Sequence, residues 1–142
     1  MKILVAVDGS AHSLDAARFV IEHAGWYRDK PEIELVFVHA PLPHLPRMGV
    51  VVGHEQLQKY YKEEGAAALA GAKKLLDASG LAYSEHILVG PIAESIAQHA
   101  NTAYCNLIVL ATRGMGAAAN LLLGSVATRV LHLSAVPVLV VK

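Results

Sequence analysis

Five short apolar and β-branched runs punctuate this chain, and what separates them decides the fold. They are Lys2 to Val7, Ile33 to Val38, Ala82 to Val89, Leu107 to Ala111 and Pro137 to Val141. Leu107-Ile108-Val109-Leu110 is apolar at every position, as in a strand covered on both faces. Helical spacing fills the intervals. From Ser13 to Ala24, apolar residues recur at Leu14, Ala17, Phe19, Val20, Ile21 and Ala24, with Gly25 as a stop. From His54 to Ala78, Leu57, Tyr61, Ala68, Ala72, Leu75 and Leu76 fall near one face, Gly65 and Gly71 weaken the segment, and Gly80 ends it. Gly90-Pro91 opens a third helix, with proline suited to the first turn and Glu94 near the positive end. Ser125 to Leu133 is the fourth, with Ser125 as N-cap candidate. Strands alternating with helices require right-handed crossovers and a parallel sheet. The expected fold is therefore α/β: a single domain spanning residues 1–142, an open five-stranded parallel sheet of order 3-2-1-4-5 with helices on both faces.

Composition narrows the function classes. With 142 residues, 54% hydrophobic and 17% charged, the chain has the make-up of one compact domain with a full core. Its formal net charge is zero, so neither nucleic acid nor an anionic membrane is expected as a partner. No apolar run approaches the ~20 residues of a membrane span. The N-terminal run meets Asp8 too early for a secretory signal. A single cysteine, Cys105, cannot form an internal disulfide and reads as a buried inert thiol. The default location is cytoplasmic. Ala40 to Val52, with Pro41, Pro43 and Pro46, reads as a long surface loop.

The stretch Leu107 to Val130 carries the chemistry. A buried strand ends in Thr112-Arg113-Gly114-Met115-Gly116, and Gly124-Ser125 starts a helix. Unsatisfied N–H groups and the positive dipole end favour an anion there, and glycines let the backbone approach it. The reading is a phosphate-holding loop, with a simple helix-capping loop as its plain alternative. It is not a P-loop, because GxxxxGK[ST] is absent. Gly114-Met115-Gly116-Ala117-Ala118-Ala119 matches GxGxxA formally, but after a late strand rather than the first. In an open sheet, ligands sit beyond the carboxyl ends of the strands where the strand order reverses. With the order above, that point brings Asp8, at the end of the first strand, to the loop after the fourth.

Gly114, nine residues and then Gly124-Ser125 resembles the nucleotide motif of the universal stress protein family, Gly-x-x-Gly-x9-Gly-Ser/Thr, with Ala111 in place of the first glycine. The opening Ile3 to Ser10, Val38-His39, Leu107 to Arg113, Gly124 to Ala127 and Val136 to Val141 resemble the same family, so the likeness spans the chain. It implies an adenine nucleotide alpha hydrolase-like fold, ATP or AMP as ligand, and Mg²⁺ only through nucleotide phosphates. It implies a site built from Ala6, Val7 and Ala40 around the base and Asp8 toward the ribose. Ser10, Leu110, Ala111, Thr112, Arg113, Gly114, Gly116, Gly124, Ser125, Val126 and Ala127 complete the expected set. Asp8 alone reads equally as an Asx turn onto Gly9 or Ser10. The methyl group of Ala111 is tolerated if its φ is negative and weakening if positive.

Other chemistries have less support. Ser10, His12 and Asp15 share one helix start and form no readable triad. His39, His44 and His54 border the proline loop without metal-ligand spacing. No catalytic residue is expected, and any turnover would be slow ATP hydrolysis by positioning alone. Three functions remain: a dimeric nucleotide-binding stress-response module, an interaction protein of the same fold without nucleotide, and an adenylyl-transferring enzyme whose characteristic loops are missing. The last strand, at the sheet edge and free of inward charge, is expected to pair with a second copy through residues 136–141, giving a homodimer.

Overall fold

The computed structural model describes residues 1–42, 53–114 and 123–142. The elements run β1 (Lys2–Ala6), α1 (Ser13–Glu22), β2 (Glu32–His39), α2 (His54–Ser79), β3 (Tyr83–Val89), α3 (Ile92–Thr102), β4 (Leu107–Ala111), α4 (Ser125–Leu133) and β5 (Val138–Val141). The sheet is wholly parallel, in the order β3-β2-β1-β4-β5. The alternation of strand and helical patterns therefore yields the expected architecture.

Side-chain alternation along the strands divides the core into two layers. Ile3, Val5, Ile33 and Leu35 face α1 and α2, meeting Ala16, Ala17, Val20, Leu69, Ala72 and Leu76. Leu4, Ala6, Val36 and Val38 face α3 and α4, meeting Ala93, Ile96, Ala100, Ala127 and Val130. Each fully buried Leu, Ile or Val contributes roughly 1.5–3 kcal/mol relative to exposure. β1 and β4 are central, paired Ala6 to Leu110, which is why their apolar runs are continuous. β5 is an edge strand, hydrogen-bonded on one side by β4.

The local departures from expectation have physical causes. α1 stops at Glu22, and a 3-10 turn over Ala24–Trp26 carries the chain through Gly25. Gly65 does not interrupt α2, which is continuous from His54 to Ser79. A Cβ there would lie 2.5 Å from Ile87 Cγ2, so the missing side chain is what seats α2 on β3. The buried stripe of α2 runs through Tyr61, Gly65, Leu69, Ala72 and Leu76, with Leu69 rather than Ala68 inward. Pro91 and Gly124 occupy the N-cap positions of α3 and α4, each one residue ahead of where the helix begins. Ser125 is thus the first helical residue rather than the cap. Residues 43–52 of the expected surface loop lie outside the described residues, as does Gly116. Among the described residues, no helix is long and apolar enough to cross a membrane.

Candidate functional site

A cavity of about 530 Å³ opens above the carboxyl ends of β1, β2 and β4. That volume is in the usual range for small-molecule sites. Its position follows from topology. The chain leaves β1 toward one face of the sheet and β4 toward the other, so the two loops part and leave a crevice between them.

The floor is apolar. Ala6 and Val7 from β1 and its extension, Val36 and Val38 from β2, and Leu110 from β4 line it, with Ile92 and Ile96 of α3 closing one side. Ala40 lies at the β2 end. The rim is polar. Asp8, Thr112, Arg113, Gly114, Gly124 and Ser125 line it, and Val126 and Ala127 follow in the first turn of α4.

The loop after β1 is a nest of local hydrogen bonds. The Ser10 N–H donates to Asp8 Oδ1 at 2.9 Å, forming the Asx turn, with Gly9 at φ 83° between them. The Ser13 N–H donates to Ser10 Oγ at 3.2 Å, and the Ser13 hydroxyl returns a bond to the Ser10 carbonyl at 2.9 Å. Ser10 therefore turns its side chain to the start of α1. It is not among the lining residues, whereas Ser13, buried at the head of α1, is.

The two ends of the segment between β4 and α4 meet. Thr112 donates its N–H to the Val141 carbonyl at 2.7 Å, continuing the β4–β5 ladder one step. Gly124 then donates to the Thr112 carbonyl at 2.6 Å, clamping the start of α4 to the end of β4. Two glycines make this closure possible. A Cβ on Gly124 would stand 3.2 Å from the Thr112 carbonyl oxygen, and one on Gly114 would run into the Asp8 carboxylate. The requirement is close approach, since Gly124 has φ −72° and needs no left-handed backbone. Ala111 ends β4 in register with Val141 and does not have positive φ, so its methyl group is accommodated without strain.

α4 presents its N-terminus to the cavity. Its first intrahelical bond runs from the Thr128 N–H to the Gly124 carbonyl at 3.0 Å. The N–H groups of Ser125, Val126 and Ala127 precede it and have no helix carbonyl to meet. The upper rim thus combines an acceptor, Asp8, with the positive end of a helix and the Arg113 guanidinium. Chemically, this suits a ligand with an apolar ring, hydroxyls and an anionic group.

Sequence reasoning missed the second wall. Phe37, Val38 and His39 of β2 and Ile92 and Ile96 of α3 line the cavity beside the expected residues. His39 bonds the Ala40 carbonyl through Nδ1 at 2.7 Å and packs on Tyr60 and Tyr61. The Tyr61 hydroxyl accepts from the Leu42 N–H at 3.1 Å, tying the end of β2 to α2. The signal available was the end of the second strand, which must reach the same level as Asp8 in a parallel sheet.

Comparison with known proteins agrees with the architecture. The family model for the universal stress protein family matches residues 1–142. A universal stress protein of Methanocaldococcus jannaschii, MJ0531, is 36% identical over 141 residues, covering 99% of this chain and 81% of that protein. Among solved structures, the protein MJ0577 superposes with a TM-score of 0.81 at 28% identity, covering 99% of this chain and 94% of that one. The universal stress protein of Archaeoglobus fulgidus in complex with dAMP superposes with a TM-score of 0.65 at 28% identity, covering 100% and 98%.

Proposed function

The chain belongs to the universal stress protein family, and on that premise we propose that its cavity binds an adenine nucleotide, ATP or AMP, as a regulatory binding module. The observation that carries this is the approach of Gly114 to Asp8 together with the clamp of Gly124 onto Thr112 at the head of α4. In this reading the adenine lies on the apolar floor between Val38, Ala40 and Leu110, and Asp8 accepts from ribose hydroxyls. The phosphates take the N–H groups of Gly124 to Ala127, the Ser125 hydroxyl and Arg113. Mg²⁺ enters on phosphate oxygens rather than on protein ligands. The dAMP bound by the Archaeoglobus fulgidus relative supports the ligand class. Calorimetric titration with ATP and AMP tests it. Saturable binding of either is expected, and no binding at millimolar nucleotide overturns it.

The functional unit in this proposal is a homodimer formed through residues 136–141. β5 is an edge strand with four apolar residues, Val138 to Val141, all half-buried, and Pro137 lies ahead of it. Antiparallel pairing about a two-fold axis would satisfy the open backbone edge and bury these side chains further. Light scattering at micromolar concentration should give twice the monomer mass, and Val140→Lys should return it to one. A monomeric native protein refutes the pairing.

A further inference from the structure

Below the cavity floor, on the α3 side of the sheet, three side chains from three separate elements converge. Glu34 of β2 is 5% exposed within an otherwise apolar layer. Its Oε2 lies 2.6 Å from Nε2 of His86 on β3 and 3.3 Å from Nε2 of His99 on α3. The two imidazole rings stand 4.4 Å apart at 51°. One donor atom from each of the three residues falls within 4.8 Å of the others. Lys2 pairs with the second carboxylate oxygen, Oε1, at 3.2 Å.

This geometry is poor for hydrogen bonding alone. The His99 contact meets the geometry of a hydrogen bond. The closer His86 Nε2 is buried and does not, despite its 2.6 Å separation from Oε2. Distance and alignment thus disagree at His86. The alignment decides, because a hydrogen bond is lost steeply as its angle closes. A buried ring nitrogen with no aligned partner costs about 1–3 kcal/mol, so the His86 nitrogen, gathered within 4.8 Å of a second imidazole nitrogen and a carboxylate oxygen, calls for a shared partner.

We propose that Glu34, His86 and His99 form a binding site for a divalent transition-metal ion of the zinc class. Two imidazoles and one carboxylate are the donor set that suits zinc, and oxygen-seeking Mg²⁺ or Ca²⁺ would not select imidazole. Donors at 2.0–2.2 Å from a tetrahedral ion are about 3.4 Å apart, and the present spacings reach that with shifts below about 1 Å. Lys2 holds the carboxylate from behind through the oxygen the ion does not use, the arrangement by which outer partners orient a ligand. The site is separate from the nucleotide cavity, since none of the three residues lines it. The two adjoin through Val36 and Ile96, which form the cavity floor on the same strand and helix as Glu34 and His99.

The test titrates the full-length, chelator-treated protein with Zn²⁺ by calorimetry, and with Co²⁺ while following its visible absorption. One ion per chain with roughly micromolar affinity and a Co²⁺ spectrum of nitrogen–oxygen coordination are expected. His86→Gln and His99→Gln should each weaken binding about 100-fold or more, since even outer-shell losses reach that size. His23→Gln and His132→Gln, far from the cluster in sequence and on other elements, should leave it unchanged. No binding at 100-fold above that affinity overturns the site, as does binding that depends on His23 or His132 instead. Should the glutamine variants misfold, Zn²⁺ protection of the native histidines from acylation, mapped by mass spectrometry, decides the matter. Protection confined to His86 and His99 supports the site, and its absence there refutes it.

Discussion

The cavity rim and the Glu34 cluster share a sheet face but are built by opposite means. The rim is largely backbone: the first turn of α4, the clamp from Gly124 to Thr112 and the approach of Gly114 to Asp8. The cluster is entirely side chain, with a charge held in an apolar layer by Lys2, His86 and His99. A backbone site needs open space, and small residues secure it. A side-chain site needs particular donors, and burial fixes their positions. Substitutions that add volume should therefore damage the first, and substitutions that remove a functional group should damage the second.

The largest effect expected on nucleotide binding is at Gly114. Alanine there would drive Cβ into the Asp8 carboxylate, displacing the residue proposed to meet the ribose or opening the loop. Overpacking of this kind costs about 1–3 kcal/mol, and the middle of that range is roughly a 30-fold rise in the Kd for ATP. Calorimetry on a variant with native circular dichroism reads it, and an unchanged Kd would mean that this loop does not hold the ligand. The zinc titration should be unaffected, which separates the two sites.

Glu34→Gln probes the other region. Burial raises the carboxyl pKa, but hydrogen bonds from Lys2 and His99 and the charge of His86 outweigh it, and the net shift is downward. A lowered folded pKa gives stability that is present above the unfolded value, about 4.3, and lost as pH falls through the folded one. The native protein should therefore lose stability below about pH 4.3 more steeply than the variant. At neutral pH the variant should be less stable by about 1–3 kcal/mol, the cost of leaving hydrogen-bond partners unmatched. Denaturant midpoints at several pH values measure both, and identical slopes would remove Glu34 from the network.

Cys105 lies at the same lower end of the sheet. Burial first, and then the negative charge of Glu34, push its thiol up to about 11. Its thiolate is what reacts with alkylating reagents, so at pH 8 the native protein should react far more slowly than the urea-unfolded chain. The sign for stability is opposite to that of Glu34: a raised pKa gives stability that is full below the unfolded value, about 8.5, and lost as pH rises toward 11. Cys105→Ala should flatten that alkaline decline. Equal alkylation rates for folded and unfolded chains would contradict the burial.

These differences explain what the sequence could reveal. The rim was legible because its parts are contiguous: Ala111 to Gly114 and Gly124 to Ala127 fall within one stretch, and their spacing states the loop. Asp8 joined them through strand order alone. Phe37, Val38, Ile92 and Ile96 looked like ordinary core, since an apolar residue reads the same whether it lines a cavity or a packed interior, and His39 read as a border of the proline loop. Glu34, His86 and His99 are scattered across β2, β3 and α3, and only the β2–β3 register and the seating of α3 bring them together. No short-range pattern encodes such a meeting. Ser10 was expected at the site through the family resemblance, but its hydroxyl accepts from the Ser13 N–H at the start of α1.

The smallest effect is expected at Ala111, the position where the chain departs from the family motif. Had its φ been positive, the methyl group would strain the loop, and Ala111→Gly would tighten nucleotide binding. The residue instead ends β4 in register with Val141 and is not in the left-handed region. Glycine there gains no conformation that alanine lacks, and it adds chain entropy to a strand end, costing about 0.5–1 kcal/mol of stability. The Kd for ATP should stay within about threefold of the native value, under 1 kcal/mol, while the denaturant midpoint falls slightly. A tenfold gain in affinity would show that the methyl group obstructs the ligand directly. That result would place the ribose or phosphates closer to β4 than the Gly124 turn requires, and it would recast the rim as a site shaped by β4 rather than by α4.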